Sequence, residues 1–406
     1  MGKDTGIDDG MRVGRTVAGL RASGQPMTNP NAPKLPDVAP WSLAAIGEAL
    51  AERLYGKGRA VVRYPWPGCS TDDQDDRGPL KLGLLLPERN QAARPAWRAL
   101  AKLAGAWTPD RLAVLVGATG RGKSAMAIQV SEGVARAGAP VLYASAEMGA
   151  DEVVARLMAL RSRGDDRGPV SARAVLDGRC PEIDFRKALA ELVTDCPGFY
   201  VWAPTEAGRT GAELTQAARA VSAAHEGAPP FVALDYLQRF KGTAGATDRR
   251  AEVAGLSGQL RDLSRPGLDW PGAAVLALSS TARGEGSGNY KVLGSAWALR
   301  EAFNAGDALE GLGKESGELE YDAPLVLVMT SDRAAAPGLA APAFVAIVKS
   351  RHGSRGGVRF WFRGAGGRFD EGETDAWDKA AKPKDDSGSG ASGSTPKEPR
   401  QRSKRA

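Results

Sequence analysis

Apolar residues recur along the middle of the chain in two alternating patterns. Between about residues 93 and 370, short apolar runs of strand length are separated by stretches with apolar positions every three or four residues, as in helices. This alternation is typical of an α/β fold with a central, mostly parallel β-sheet flanked by helices. The predicted strands cover residues 112–116, 140–142, 231–235, 273–279, 343–348 and 357–362.

The N-terminal part of the chain lacks this alternation. Residues 1–39 are rich in Gly, Pro, Asn and Asp and show no hydrophobic periodicity, which predicts a disordered arm. Residues 40–92 form a small N-terminal segment, in which the spacing of the leucines predicts an amphipathic helix over 41–55.

Positive charge is concentrated at the C-terminal end. The chain has a formal net charge of +6, but its last 28 residues carry eight Lys or Arg against three acids and so account for +5. Residues 371–406 are predicted to be a disordered basic tail because most of this stretch is of low complexity, and residues 93–370 are predicted to be the folded domain. The net charge of that domain therefore does not by itself indicate a nucleic-acid partner.

The composition excludes several classes of protein. A hydrophobic content of 42% and a charged content of 25% are typical of a globular protein. No apolar run reaches the roughly 18 residues that a membrane-spanning helix needs, and the acidic N-terminus is unlike a secretory signal. Three scattered Cys and two His argue against a disulfide framework and against a metal site built on those residues. We expect a cytoplasmic protein without a membrane partner.

The strongest local motif follows the first predicted strand. The sequence from Gly117 through Gly122, Lys123 and Ser124 fits the pattern G-x-x-x-x-G-K-[ST], with Gly120 inside the loop and a helical pattern from Ala125 onward. Glycines allow backbone N–H groups to surround phosphate oxygens, and the helix that follows presents its positive end. The lysine reaches the phosphates and the serine hydroxyl is suited to Mg²⁺. The motif predicts a site for ATP and Mg²⁺.

Acidic side chains follow two further predicted strands. Asp235 ends a strand of four apolar residues, a pattern that holds Mg²⁺ opposite a phosphate loop. Glu147 follows the strand near 140–142, where it is suited either to activate a water molecule against the γ-phosphate or to cap the next helix. The strand over 273–279 ends at Ser280, which is placed either to sense the γ-phosphate or to begin an ordinary loop.

Five stretches in chain order resemble the C-terminal RecA-like ATPase domain of the DnaB-type replicative DNA helicases. The resemblance covers residues 93–370 and implies a RecA-like P-loop NTPase fold, a hexameric homo-oligomeric ring with ATP between subunits, and movement along single-stranded DNA. The stretches are YASAEMGADEVVARLMA (143–159), LDYLQRF (234–240), ALSSTAR (277–283), GKESGELEYDA (313–323) and IVKSRHGSRG (347–356).

The resemblance also implies roles for individual residues of the nucleotide site. Lys123, Ser124 and Asp235 would bind ATP and Mg²⁺, and Glu147 would activate the attacking water. In the K-x-R-x-G stretch, Lys349 and Arg351 match residues that reach into the neighbouring subunit's site, where an arginine stabilises charge on the transferring phosphoryl group. The alternative is that these two cations lie on an ordinary solvated hairpin.

A second set of residues is implied to contact DNA. Lys314, Glu315 and Gly317 resemble the loop that grips the DNA backbone in the central channel, although family members usually carry Arg where this chain has Lys314. A competing alignment places the loop at residues 299–301, with Arg300 as the cation. Both cations are suited to phosphate.

Two departures from the family pattern lead to alternative functions. Ser280 stands where the family usually carries a Gln that senses the γ-phosphate, and residues 1–92 are too few for the family's helical N-terminal domain. These departures suggest a specialised relative, such as a phage, plasmid or mobile-element ATPase, more than a housekeeping replicative helicase. A replication or mobile-element partner is expected. The alternatives to a helicase are a regulatory or recombination-related ATPase of the wider RecA/KaiC group, which binds DNA without unwinding it, and a nucleotide-dependent binding module.

Overall fold

The structure, a computed structural model, describes most of the chain from Trp97 onward. The predicted arm over 1–39 and the segment over 40–92 lie outside the described residues. Those residues are 97–161, 171–177, 182–204, 209–241, 249–281, 292–307, 309, 312, 317–334, 339–372 and 374–382.

A nine-stranded sheet forms the centre of the domain, in the order β3-β2-β4-β5-β1-β6-β7-β8-β9. The first six strands in this order are parallel, and the last three continue the sheet in antiparallel fashion. The strands are β1 Arg111–Gly117, β2 Val141–Ser145, β3 Phe199–Trp202, β4 Phe231–Asp235, β5 Ala274–Ser280, β6 Leu325–Ser331, β7 Ala340–Ser350, β8 Gly356–Arg363 and β9 Arg368–Glu371.

The central strands are buried on both faces, which explains why they are continuous apolar runs. Every residue of β1, β2, β4 and β6 is buried. The six predicted strands all occur, and their pairing confirms a mostly parallel sheet. Strands β3, β6 and β9 fall outside the six predicted runs; β3 and β9 have only four residues each, and β3 is half-buried along its length.

Helices cover the two faces of the sheet. Alternate residues of β1 show the division, because Ala113 and Leu115 belong to one hydrophobic cluster whereas Leu112 and Val114 belong to the other. The described helices are α1 Arg98–Ala104, α2 Lys123–Arg136, α3 Ala150–Arg161, α4 Ala172–Leu176, α5 Glu182–Asp195, α6 Gly211–Ala223, α7 Arg249–Ser264, α8 Ala296–Ala305, α9 Gly317–Asp322 and α10 Thr374–Ala381.

The folded part extends beyond the predicted boundary at residue 370. Helix α10 lies within the stretch predicted as a disordered tail, and that prediction is wrong for residues 371–372 and 374–382. Trp377 is fully buried, and its indole nitrogen donates to the carbonyl oxygens of Ala343 (3.2 Å) and Phe360 (2.9 Å). One tryptophan thus anchors this helix. The other residues of the helix are mostly polar or small, which is why the sequence of this stretch resembles a linker. Residues from 383 onward lie outside the described part.

Among the helices that the structure describes, none is both long enough and apolar enough to cross a lipid bilayer.

Candidate nucleotide-binding site

The predicted phosphate loop lies at the carboxyl edge of the parallel strands. It connects β1 to α2, and Gly117 at the end of β1 pairs in register with Ser280 at the end of β5. At the same edge, Ser145 at the end of β2 pairs with Asp235 at the end of β4. Ligands of open α/β sheets bind at this edge, where the strand order changes direction.

At two positions of the loop, the backbone has a conformation that only glycine adopts readily. Gly120 and Gly122 have φ angles of 75° and 90°, in the left-handed region. A Cβ atom at Gly122 would also lie 2.8 Å from the ring of Phe369, and one at Gly117 would lie 2.7 Å from the carbonyl oxygen of Met329. The loop therefore packs closely against β6 and β9, and there is no room for a side chain at Gly117 or at Gly122.

Lys123 folds back over the loop that precedes it. Its Nζ donates to the carbonyl oxygens of Gly117 (2.8 Å) and Ala118 (3.0 Å). Burial lowers the pKa of this lysine to about 8, although the charges of Asp235 and Glu147 act in the opposite direction. The ammonium group is thus poorly solvated, and the two nearby acids favour its charged form.

A buried cluster of oxygen atoms lies beside the lysine. Asp235 is only 1% exposed, and its carboxylate accepts hydrogen bonds from the hydroxyls of Ser124 and of Tyr143, the latter at 2.7 Å. Burial raises the pKa of Asp235, and these two hydrogen bonds lower it. The contact between Ser124 and Asp235 brings together the two residues predicted to bind Mg²⁺. A hydroxyl and a carboxylate are the oxygen ligands that this cation prefers, so the cluster fits it.

Tyr143 is a member of this cluster that the motifs do not indicate. It is fully buried on β2, and burial together with the adjacent Asp235 raises the pKa of its phenol well above the ordinary value. In the sequence it is the first residue of the family-like stretch 143–159. It also lies in β2 two residues before Ser145, which pairs with Asp235. Alternate residues of a strand lie on the same face.

Glu147 lies between β2 and α3 and is exposed. Its charge raises the pKa of both Lys123 and Asp235, so its carboxylate is near enough to interact with the centre of the site. An exposed acid at the edge of the phosphate loop is compatible with contact to a water molecule.

Ser280 belongs to a small polar network. Its hydroxyl lies 3.4 Å from that of Thr119 in the phosphate loop, and its backbone N–H donates to the side-chain oxygen of Gln238 at 3.2 Å. The Gln238 amide nitrogen donates to the hydroxyl of Ser279 at 2.9 Å. Gln238, in the LDYLQRF stretch, is therefore an unpredicted link between β5 and the turn after β4.

The two hairpin cations have different surroundings. Lys349 lies near the end of β7, and its Nζ donates to the carbonyl oxygens of Glu320 (2.9 Å) and Tyr321 at the end of α9. Arg351 follows β7 in the turn that leads to β8, and it is exposed. The contacts described for these two cations do not include the phosphate loop of this chain.

The residues predicted to contact DNA are only partly described. Lys314 and Glu315 lie outside the described residues, and Gly317 is the first residue of α9. Arg300, the cation of the competing alignment, lies within α8, pairs with Asp378 at 3.4 Å and stacks on the ring of Trp297. Arg300 therefore lies in a helix that packs on α10.

A shallow cleft opens beside the first turn of α2. Its walls come from α2, α3, α4 and the turn between β8 and β9, and they include Ala125, Ile128, Arg156 and Gly367. Ala125, one of its lining residues, directly follows Ser124 in the chain. It offers mostly apolar walls and one guanidinium group.

Loop, buried carboxylate and strand order together define a P-loop protein with a RecA-like α/β fold. The family model described as the DnaB-like helicase C-terminal domain matches residues 95–371. The chain belongs to this family, which confirms the resemblance seen in the five sequence stretches.

Individual relatives agree with this assignment. The replicative DNA helicases DnaB of Pasteurella multocida and Haemophilus influenzae are each 27% identical to this chain, over 275 and 268 residues. These matches cover 67% and 64% of this chain, but it spans only about half the length of these two relatives, 54% and 51%. A solved DnaB-like replicative helicase, described with its interactions with primase, superimposes with a TM-score of 0.52 at 20% identity, covering 67% of this chain and 61% of that one. This structural match supports the fold.

Proposed function

We propose that the protein is an ATP-dependent DNA helicase or translocase, a DnaB-like motor that assembles as a ring on single-stranded DNA. The observation that carries the proposal is the contact between Ser124 and the buried Asp235 directly beside Lys123. Membership of the DnaB-like helicase family supports the proposal that this nucleotide site drives movement along DNA.

The residues of the site divide the work of phosphoryl transfer. Lys123 leaves the carbonyls of Gly117 and Ala118 and donates to the β- and γ-phosphates of ATP. Ser124 and Asp235 would hold Mg²⁺, and the bound ion would neutralise charge that develops on the phosphates. Glu147 orients a water molecule and takes up its proton. Tyr143 donates to Asp235 and keeps the buried carboxylate fixed in position.

In an assembled ring, the adjacent subunit supplies a further positive charge to the nucleotide site. Arg351 is exposed in the turn between β7 and β8, where it is free to approach the phosphates of an adjacent subunit. A ring in which each subunit completes its neighbour's site couples hydrolysis to the arrangement of subunits. Lys314, Glu315 and Gly317 then contact the DNA backbone from inside the ring, where a few cations in each subunit suffice because several subunits contact one strand.

The test is ATP hydrolysis by the full chain with and without single-stranded DNA. We expect hydrolysis that DNA stimulates, no hydrolysis by Lys123→Ala, and no hydrolysis by Arg351→Ala although this variant still binds ATP. Mixing the two variants should restore part of the activity, because each supplies what the other lacks at a shared site. Normal hydrolysis by assembled Arg351→Ala would show that the arginine does not act between subunits.

Ser280 favours a second candidate, an ATPase that binds DNA without unwinding it. The serine hydroxyl reaches Thr119 and is too short to span the distance that the family's Gln would span, so coupling of hydrolysis to unwinding is expected to be weaker. A strand-displacement assay separates the candidates. Displacement that requires ATP supports the helicase, whereas DNA-stimulated hydrolysis without displacement supports the second candidate.

A further inference from the structure

Arg121 is a residue of the phosphate loop to which the motif assigns no role. It occupies one of the unspecified positions of the pattern G-x-x-x-x-G-K-[ST], directly before Gly122. Its guanidinium group donates to the carbonyl oxygen of Ser331 at 2.7 Å and to that of Gly294 at 2.9 Å. Ser331 is the last residue of β6, and Gly294 lies two residues before α8. One side chain of the loop thus contacts two elements that are distant in the chain.

The contact between the loop and β6 is formed in both directions. The buried hydroxyl-bearing residue Ser331 donates from its side chain to the backbone carbonyl oxygen of Arg121 at 3.1 Å, and it accepts the guanidinium at its own backbone carbonyl. Arg121 itself is half-buried. A guanidinium group carries several N–H donors in a rigid plane, so it bonds to two carbonyl oxygens at once. The loop is therefore attached to the end of β6 through both the backbone and the side chain of this residue.

The end of β6 also contacts the start of α8. The hydroxyl of Thr330 donates to the carbonyl oxygen of Leu293 at 2.7 Å in a buried position. The carboxylate of Asp332 accepts a hydrogen bond at 2.8 Å from the N–H of Ala296, the first residue of α8, an amide that has no partner within the helix. Burial raises the pKa of Asp332, and the charge of Arg121 lowers it, so the guanidinium also interacts with this carboxylate.

Three consecutive residues at the end of β6, over 330–332, thus bond to the phosphate loop and to the start of α8. The phosphate loop binds its ligand mainly through backbone N–H groups, which must surround the phosphate oxygens. A loop that is already ordered loses less conformational entropy when it binds. Bonds that fix its backbone from outside the site are therefore expected to strengthen the binding of a polyphosphate.

We propose that Arg121 is a positioning residue that fixes the phosphate loop to the end of β6 and to the start of α8. Its guanidinium group holds the loop in the conformation that binds phosphates without contacting them. Because the same group bonds to the residue that precedes the N-cap of α8, a change in the loop on ATP binding is transmitted to the first turn of that helix. This last consequence rests on the ATP site of the function proposed above.

The dissociation constant for ATP, measured beside kcat at saturating ATP, tests the positioning role. Arg121→Met removes the donors and keeps most of the side-chain stem. We expect the dissociation constant to rise roughly five- to tenfold and kcat to stay within about twofold of the wild-type value, because charged hydrogen bonds that order the loop are lost while Lys123 and Ser124 remain. Arg121→Lys keeps a charged donor without the planar fork and should restore part of the affinity.

Arg333→Met is the matched control, because Arg333 is exposed and lies two residues after Ser331. This variant removes the same charge from the same region and should bind ATP as the wild type does. Three results would overturn the proposal. They are an unchanged dissociation constant in Arg121→Met, an equal loss of affinity in Arg333→Met, and a large loss of kcat in Arg121→Met, which would place the guanidinium on the transferring phosphoryl group.

Hydrogen exchange of the full chain tests the connection to α8. Without nucleotide, the amides of the first helical turn, 296–299, should exchange roughly three- to tenfold faster in Arg121→Met than in the wild type and in Arg333→Met, because local stability is lost there. Saturating ATP should slow the exchange of these amides in the wild type and not in Arg121→Met. Identical exchange in all three proteins overturns the connection. If the wild type binds no ATP, the proposed function fails, whereas exchange without nucleotide still decides whether Arg121 fixes α8.

Discussion

The two charges at the centre of the site are influenced by burial in opposite ways. Burial lowers the pKa of Lys123 to about 8 and raises the pKa of Asp235, so that both groups are closer to their neutral forms than in water. Each is stabilised as an ion by the other and by hydrogen bonds. A nucleotide with its cation provides each with a partner of opposite charge, which makes this pair sensitive to binding.

The lowered pKa of Lys123 predicts that ATP binding weakens at alkaline pH. Below pH 8 the free lysine is charged and binding should be constant, whereas above pH 8 the lysine must first regain a proton. The apparent dissociation constant should therefore rise by up to about tenfold per pH unit, in titrations of ATP between pH 7.5 and 9.5. Lys123→Arg keeps its charge over this range and should show no such rise. A wild-type constant that does not change up to pH 9.5 would contradict the assignment.

The hydrogen bond from Tyr143 to Asp235 predicts a measurable loss of stability when it is removed. In Tyr143→Phe the buried carboxylate loses a donor, which should lower the free energy of unfolding by about 1–3 kcal/mol. Tyr200→Phe is a matched control, because Tyr200 bonds to His225 at 3.1 Å in a half-buried position away from Asp235. Urea unfolding of both variants is the measurement. An equal or larger loss in Tyr200→Phe would speak against a special role for the buried pair.

At the scale of elements, the phosphate loop depends on a strand far along the chain. The side-chain amide of Gln129 in α2 forms two hydrogen bonds with the backbone of Phe369 in β9, at 2.9 and 2.8 Å. The Phe369 ring, stacked on Phe362, lies against Gly122. The antiparallel extension of the sheet therefore supports the loop from the side of β9.

This packing predicts different costs for alanine at two glycines of the loop. Both Gly120 and Gly122 have left-handed backbones, but a Cβ at Gly120 has nothing within 4 Å whereas one at Gly122 meets Phe369. Gly120→Ala should therefore cost about 1–2 kcal/mol of folding stability for backbone strain alone. Gly122→Ala should cost roughly 2–5 kcal/mol and weaken ATP binding, because overpacking is added. Equal costs in urea unfolding would show that the contact with Phe369 is unimportant.

The elements that the sequence predicts best are those whose pattern is local. The P-loop and strands β1, β4 and β5 are continuous runs with characteristic ends, and they occur close to the predicted positions. The roles of Tyr143, Gln129 and Trp377 are not predictable in this way. Each depends on one buried side chain that bonds to a residue distant in the chain, at 92, 240 and 17 or 34 positions. These contacts form only when the strands and the helices packed on them are assembled.

At the scale of the whole molecule, the position of the charges is more informative than their sum. Most of the net charge of +6 belongs to the last 28 residues, so the domain that binds nucleotide is close to neutral. Its proposed functional cations are few, with Lys123 at the phosphates and Arg351 at a subunit boundary. Salt-sensitive binding to DNA is expected to arise from the repetition of such cations around a ring.

Electron microscopy of the full chain with ATP and single-stranded DNA tests the central claim most directly. The protein should form closed rings with density for the strand through their centre, and nucleotide should lie between subunits where Arg351 of one faces Lys123 of the next. Particles that remain monomeric in the presence of both ligands would contradict the ring-shaped motor.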